Sequence, residues 1–410
     1  MAKTTSDEKQ KNQGVDARTF SAAEELKDAM IAEAVMNKAS DVHIDPTEQH
    51  LLIRFRIDGV LHVWTRRPQD EYDTFISHLK VLSGLDIAHR ATPQEGYFAW
   101  VAPSSTSAAV ASGARVLAVR SSFFPTVHGE AVVLRLLNRV ESFLNLSDLG
   151  FGAEDLGLVR SISRRSHGMV LVSGPAGTGK TTTLYSILRE LAGESRTIIT
   201  LEDPVEYYLD FVRQSQVSPH TGYTFAVGIR SILRQDPDSI MVGEIRDYET
   251  AENAIRASLT GRLLLSTLHA NSAIGTITRL IDMKIERDMV AYALSGVIGQ
   301  RLVKKICGSC REAYQPSEEI RSSLGIDRGA SIVHGAGCEV CFDTGYSSRV
   351  GIFEVLDVDG ELQRMIINNA SAAEIEEVAH KKGLKTLRED GLKKVYAGIT
   401  TPEEVLRASM

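Results

Sequence analysis

The residues best suited to chemistry begin at Gly174. Gly174, Pro175, Ala176, Gly177, Thr178, Gly179, Lys180 and Thr181 read GPAGTGKT, the G-x-x-x-x-G-K-[ST] spacing of a loop whose backbone N–H groups gather around phosphate oxygens. The run Met169 to Ser173 before it is apolar and strand-sized, while Leu184, Ile187, Leu188 and Leu191 after it recur at helical spacing. The loop therefore joins a strand to the electropositive start of a helix. Lys180 is placed to reach the β and γ phosphates of ATP, the Thr181 hydroxyl to hold Mg²⁺, and Thr182 to extend the cradle. Two acidic positions follow at the ends of apolar runs: Glu202, with Asp203 and Glu206, in TLEDPVEY, and Glu244 in IMVGEIRD. One carboxylate at such an edge can orient or deprotonate an attacking water while another acts through the metal's water shell. Spacing alone does not divide those roles. His269 follows a third apolar run, LLLSTL, where a strand-end imidazole can sense a γ-phosphate.

A second constellation is built from cysteine. The four in the chain form two C-x-x-C pairs, Cys307 with Cys310 and Cys338 with Cys341, separated by 27 residues. Each pair can grip one side of a tetrahedral Zn²⁺ ion, and closing the intervening loop costs only the logarithm of its length. Two disulfides or an iron–sulfur role are the alternatives; a reducing compartment disfavours the disulfides. Four sulfurs leave no open coordination position, so such a metal would be structural.

These groups need elements to position them. The 410 residues are 43% hydrophobic and 24% charged, enough for two or three domains with real cores. Lys and Arg number 46 against 53 Asp and Glu, so the charge balance argues against nucleic acid as the main partner. No apolar run reaches membrane-spanning length, and the polar first residues lack a secretory signal, which predicts a cytoplasmic protein. Residues 1–20 are expected to be a mobile tail, and 21–148 an α+β domain. Within it, Ala22 to Lys38 is expected to form an amphipathic helix, LLIRFRIDGVLHVW a hairpin turning at Asp58-Gly59, Asp73 to Leu82 a helix, and Ala102 to Gly113 a loop. Strands and helices alternate over 149–305, the pattern of a parallel sheet. The tetracysteine segment, 306–355, and a helical tail, 356–410, follow.

GPAGTGKTTTLY, ITLEDPVEY, LRQDPDSIMVGEIRD and STLHAN, in this order, resemble the Walker A, Asp box, Walker B and His box of the secretion ATPases. Within them the chain is most similar to the type II secretion and type IV pilus assembly group, GspE and PilB. The resemblance spans about 22 to 407 and includes ASDVHIDP, RFRIDGVL and GYSSRVGIFEVL. It implies an α/β fold: a RecA-like P-loop ATPase core, an N-terminal PAS-like α+β domain and a C-terminal zinc-stapled helical appendage, assembled as a homo-hexamer. It also implies that Arg120 and Arg135 match family arginines that close over nucleotide, that Glu244 matches the catalytic base, Glu202 the Asp box acid, and His269 the His box. Arg230 and Arg234 lie in the same neighbourhood without an assigned role. The retraction ATPases of the superfamily generally lack the cysteines, so the motif points to assembly or secretion.

The implied function is a Mg²⁺-dependent ATPase driving pilin or pseudopilin extrusion through an inner-membrane platform protein, peripheral to that membrane. Longer relatives carry an additional N-terminal docking domain, so either the mode of docking or the partner is expected to differ here. PQEGYFAW stands in place of the more usual PQDGR, and Arg262 and Ala270 in place of His and Thr. Two other readings remain open from the residues: a RecA-core nucleic-acid motor, and an ATP-binding regulatory scaffold.

Overall fold

The computed structural model describes residues 17–57, 59–102, 116–137, 145–206, 208–218, 221–327 and 329–409. The chain divides into two compact units, residues 1–142 and 143–410. The first sixteen residues of the expected tail, and all but Ala102 of the expected small-residue loop, lie outside the described residues.

In the first unit α1 (Ala17–Met36) leads to β1 (Asp41–Pro46), β2 (His50–Ile57), β3 (Val60–Pro68), α2 (Tyr72–Leu82), β4 (Gln94–Val101), β5 (Val116–Thr126) and β6 (Gly129–Leu137). The strands form one antiparallel sheet in the order β3-β2-β1-β6-β5-β4. Alternation decides which face is covered: Leu51, Ile53 and Phe55 of β2 are buried, with Met30, Ile31 and Val35 of α1 and Phe75, Ile76 and Leu79 of α2 in the same core. Helix α1 starts five residues before the predicted Ala22, because Ala17 and Arg18 favour helix without belonging to the apolar stripe. It stops before Lys38, whose φ of 55° is left-handed. One ion pair is fully enclosed: Lys80 Nζ stands 2.6 Å from Glu130 Oε1, with the two side chains 1% and 2% exposed.

The second unit contains α3 (Ala153–Ser163), β7 (Gly168–Ser173), α4 (Lys180–Leu191), β8 (Ile198–Glu202), β9 (Val212–Gln216), α5 (Phe225–Ile232), β10 (Ser239–Val242), α6 (Tyr248–Leu259) and β11 (Leu263–Leu268). It continues through α7 (Ala273–Asp282), α8 (Arg287–Ala293), β12 (Leu294–Ile306), β13 (Arg311–Tyr314), α9 (Glu318–Leu324), β14 (Ile332–Gly335) and β15 (Tyr346–Asp357). Helices α10 (Gly360–Ile367), α11 (Ala372–Lys381), α12 (Leu387–Tyr396) and α13 (Pro402–Ser409) complete it. Its sheet runs β15-β12-β7-β11-β10-β8-β9. All pairings in it are parallel except that of β12 with β15. Every residue of β7 and β11 is buried, the signature of parallel strands covered on both faces.

The expected boundary at 305/306 is not a break in this fold. Strand β15 returns to pair with β12 from Gly296 opposite Asp357 to Ile306 opposite Tyr346. The cysteine segment is thus an excursion between two neighbouring strands of the second unit's sheet. Ile352 to Leu356 are buried on both faces, so β15 needs the sheet to cover it, a requirement that a boundary drawn from the cysteine positions overlooks.

Candidate functional site

Parallel pairing brings the motifs to one edge. Ser173 pairs with Leu268, Leu201 with Val242, and Val242 with Ser266, so the loops after β7, β8, β10 and β11 leave the sheet together, where ligands of such sheets bind. The phosphate loop occupies 174–179 and ends in the first turn of α4. Gly179 has a φ of 82° at the helix N-cap, a left-handed conformation open to glycine. Lys180 Nζ donates to the carbonyls of Gly174 and Pro175, each at 2.8 Å, and Thr178 Oγ1 donates to Pro175 O at 3.0 Å. Burial lowers the Lys180 pKa, Glu244 acts to raise it, and Arg301 acts to lower it. Thr181 and Thr182 are half-buried on the first turn.

Glu244 and Glu202 have different surroundings. The Glu244 side chain is 17% exposed, with Oε1 paired to Arg246 and Oε2 3.8 Å from His269 Nε2. Arg246 also stands 4.0 Å from Asp203 Oδ2. The strand ends are held by Gly243 N donating to Leu201 O at 2.8 Å and Ile245 N to Thr267 O at 2.9 Å. The Glu202 residue is 2% exposed. It accepts hydrogen bonds from Tyr185 and Thr200 and, at 3.1 Å, from Gln214 Nε2. Burial raises the Glu202 pKa against the pull of those donors, and burial beside the carboxyl also raises that of Tyr185. His269 is half-exposed and its pKa is lowered, first by partial burial and then by Lys180, with Glu244 opposing and Arg246 adding. Lys180, Glu244 and His269 thus feel one another's charge.

Arg120 and Arg135 lie in the other unit. Arg120 Nη2 donates to Glu95 Oε2 at 2.6 Å, and Arg135 Nε donates to Asp41 Oδ1 at 2.9 Å. Arg230 pairs with Glu249 at 3.0 Å, and Arg234 donates to Arg230 O at 2.9 Å.

The four cysteines converge. Their sulfurs all lie within 4.8 Å of one another, with Cys307–Cys338 at 3.9 Å, Cys310–Cys341 at 3.8 Å and Cys338–Cys341 at 3.7 Å. Sulfurs about 2.3 Å from one tetrahedral centre stand about 3.8 Å apart, whereas a disulfide needs about 2.05 Å. The donor set therefore fits a tetrahedral metal. Cys338 N and Gly345 N both donate to Cys341 Sγ at 3.3 Å. Burial acts upward on that thiol, but these backbone donors together with the Cys338 and Cys310 thiols outweigh it and bring it down to about 7, while burial pushes Cys310 up to about 12.

Three residues outside the nucleotide motifs also touch the site. Gln300 on β12 donates from Nε2 to Thr178 O at 2.8 Å and accepts from Thr183 Oγ1 at 2.7 Å. Arg301 Nη2 donates to Asn271 O at 2.9 Å. Glu354 on β15 accepts from Ala273 N at 3.1 Å. These residues come from strands after the last box, so spacing offers no sign of them; Arg246, two residues beyond Glu244, was open to such a reading.

A phosphate loop at a strand–helix junction, with an acid and a histidine converging from neighbouring strand ends, defines a P-loop ATPase. The model of the type II/IV secretion system protein family matches residues 16–407, and the chain belongs to that family. Type II secretion system protein E of Dickeya dadantii is 45% identical over 384 residues, covering 94% of this chain and 75% of that protein. The type IV pilus assembly ATPase PilB of Thermus thermophilus is 42% identical over 390 residues, covering 94% of this chain and 43% of that protein. Among solved structures, the pilus retraction motor PilT with bound ADP is 26% identical with a TM-score of 0.63, covering 93% of this chain and 96% of that one. Among the described residues no helix is long and apolar enough to cross a membrane.

Proposed function

We propose that this chain is the motor of a type II secretion or type IV pilus assembly machine, converting ATP hydrolysis into extrusion of pilin-like subunits. The observation that carries the reading is the convergence of Lys180, Glu244 and His269 at one sheet edge. In this reading the backbone of Gly174–Gly179 and the side chains of Lys180, Thr181 and Thr182 hold the triphosphate, with Thr181 on Mg²⁺. Mg²⁺, when held there by Thr181, would supply positive charge against the phosphate oxygens. Glu244, the more accessible acid, positions the water and takes its proton; Glu202, enclosed by three donors, shapes the edge beneath it. His269, held neutral, reports the γ-phosphate, and Arg120 and Arg135 contribute positive charge to the reaction.

The cysteine cluster holds Zn²⁺ in this reading, ligated by Cys307, Cys310, Cys338 and Cys341, and staples the excursion between β12 and β15. The first unit is a PAS-like domain, supported by one antiparallel sheet backed by two helices. The working assembly is a homo-hexamer in the cytoplasm, bound peripherally to an inner-membrane platform protein and acting on pilins through it. The plan in this reading is a tail over 1–20, a first domain over 21–148 and a motor unit from 149 onward, in which 306–355 is the zinc-bearing excursion and 356–410 the helical end. Purified wild type should hydrolyse ATP in a Mg²⁺-dependent way, and Lys180→Ala should bind it poorly. Equal nucleotide affinity and turnover in the two proteins would refute the assignment of the phosphate site.

A further inference from the structure

Strand β12 carries Gln300 and Arg301 side by side, and their side chains reach different catalytic loops. Gln300 is 2% exposed. Its single amide uses both ends on the phosphate loop and the helix it feeds: Nε2 on Thr178 O, within the loop, and Oε1 on the hydroxyl of Thr183, in the first turn of α4. Strand and loop are in close approach, since a Cβ added at Gly174 would lie 2.5 Å from Gln300 O. Arg301 turns toward the His box instead. Its Nη2 donates to Asn271 O at 2.9 Å, two residues beyond His269, and its Nη1 donates to Gln300 O at 3.0 Å. Glu354, on the neighbouring strand, accepts from Ala273 N at 3.1 Å. The segment from His269 to the first residue of α7 is therefore tied at two points, by Asn271 to β12 and by Ala273 to β15.

We propose that Gln300 and Arg301 are positioning residues for phosphoryl transfer, Gln300 fixing the shape of the phosphate loop and Arg301 fixing where His269 stands relative to Glu244. The proposal rests on the reading of this site as an ATPase. Its physical basis is that catalysis of phosphoryl transfer is mostly placement and preorganised charge, so small shifts in a loop are costly. A buried amide with both ends engaged cannot lose its donor without stranding Thr178 O, nor its acceptor without leaving the Thr183 hydroxyl only the longer 3.4 Å bond to Gly179 O. Glutamate at 300 is the sharpest probe: it keeps the shape but replaces the donor to Thr178 O by an oxygen that repels it. Arg301 acts on a backbone carbonyl of the His box, so its loss leaves the phosphate loop in place and displaces the sensing side.

The test measures kcat and KM for ATP separately on the full chain, together with the affinity of a fluorescent ATP analogue and the thermal midpoint. Gln300→Glu is expected to raise KM and weaken the analogue by about tenfold or more, the scale of one lost buried hydrogen bond. Gln300→Met, which brings no buried charge, is expected to act in the same direction and serves if the glutamate variant does not fold. Arg301→Ala is expected to lower kcat by about tenfold with KM within about twofold, and Arg301→Lys, which retains one donor, to recover part of kcat. Folded variants with wild-type constants would overturn the proposal. So would a joint fall in both constants that follows the thermal midpoint, since that is the mark of a purely structural role. A wild type that does not turn over ATP would refute the ATPase reading, while the analogue's affinity would still decide the role of Gln300.

Discussion

Arg120 on β5 and Arg135 on β6 are direct register partners, so two cations stand opposite each other on the same side of the sheet. The row continues on either side, with Tyr97 opposite Arg120, Asp41 opposite Arg135, and Arg56 opposite Asp41. Like charges facing across strands are destabilising by a few tenths of a kcal/mol or more. Glu95 and Asp41 offset part of that cost through the hydrogen bonds to Arg120 and Arg135. In the proposed reading this row of three arginines serves an anionic ligand, the nucleotide phosphates.

Replacing either arginine by leucine is therefore expected to leave the thermal midpoint unchanged or raise it slightly, while ATP turnover falls at least about tenfold. Turnover assays and calorimetry on the same preparations check this. Unchanged turnover with a lowered midpoint would show that the pair serves the fold.

The cysteine geometry predicts about one tightly held zinc per chain. Elemental analysis should find it, and Cys310→Ser or prolonged chelation should release it, lowering the thermal midpoint and exposing titratable thiols. Retention of the metal by the serine variant, or metal-free protein with all four thiols reactive at the outset, would contradict the assignment.

His269 provides the pH dependence. Partial burial, Lys180 and Arg246 outweigh Glu244 and set its pKa below 6.5. As pH falls through the ordinary histidine value, the unfolded chain takes up this proton before the folded one. The residue thus withdraws stability in that acidic window and restores it as pH rises again. Above the window the imidazole is neutral. A histidine C–H titration assigned to His269 should have its midpoint below 6.5; a midpoint at or above that value would remove the neutral sensor.

The enclosed pair of Lys80 and Glu130 makes single and double substitutions differ in the first unit. Lys80→Met alone strands a buried carboxylate and is expected to cost about 3–5 kcal/mol, whereas Lys80→Met with Glu130→Leu should recover much of it. Denaturant unfolding measures both. Additive losses in the double variant would show that the pair is not coupled.

Contiguous chemistry was legible in the chain. The phosphate loop, the acids at strand ends and the cysteine spacing each depend on residues close in sequence, and parallel pairing alone then brings the first two together. Contacts made across the sheet were not. Gln300 and Arg301 sit in an apolar strand whose neighbour on one side, β7, precedes it by more than a hundred residues, and no periodicity shows which loops their side chains meet. The different environments of Glu202 and Glu244 were hidden for the same reason, since Tyr185 and Gln214 reach Glu202 from α4 and β9. The place of β15 beside β12 was masked by the cysteines, which drew a boundary where the chain makes only an excursion.

The central claim is that Glu244 activates water over a triphosphate held by Lys180. Single-turnover hydrolysis by Glu244→Gln, with ATP affinity measured in parallel, tests it most directly. The account predicts wild-type-like binding of ATP with the chemical step slowed by at least about a hundredfold. Hydrolysis at the wild-type rate in that variant would contradict it.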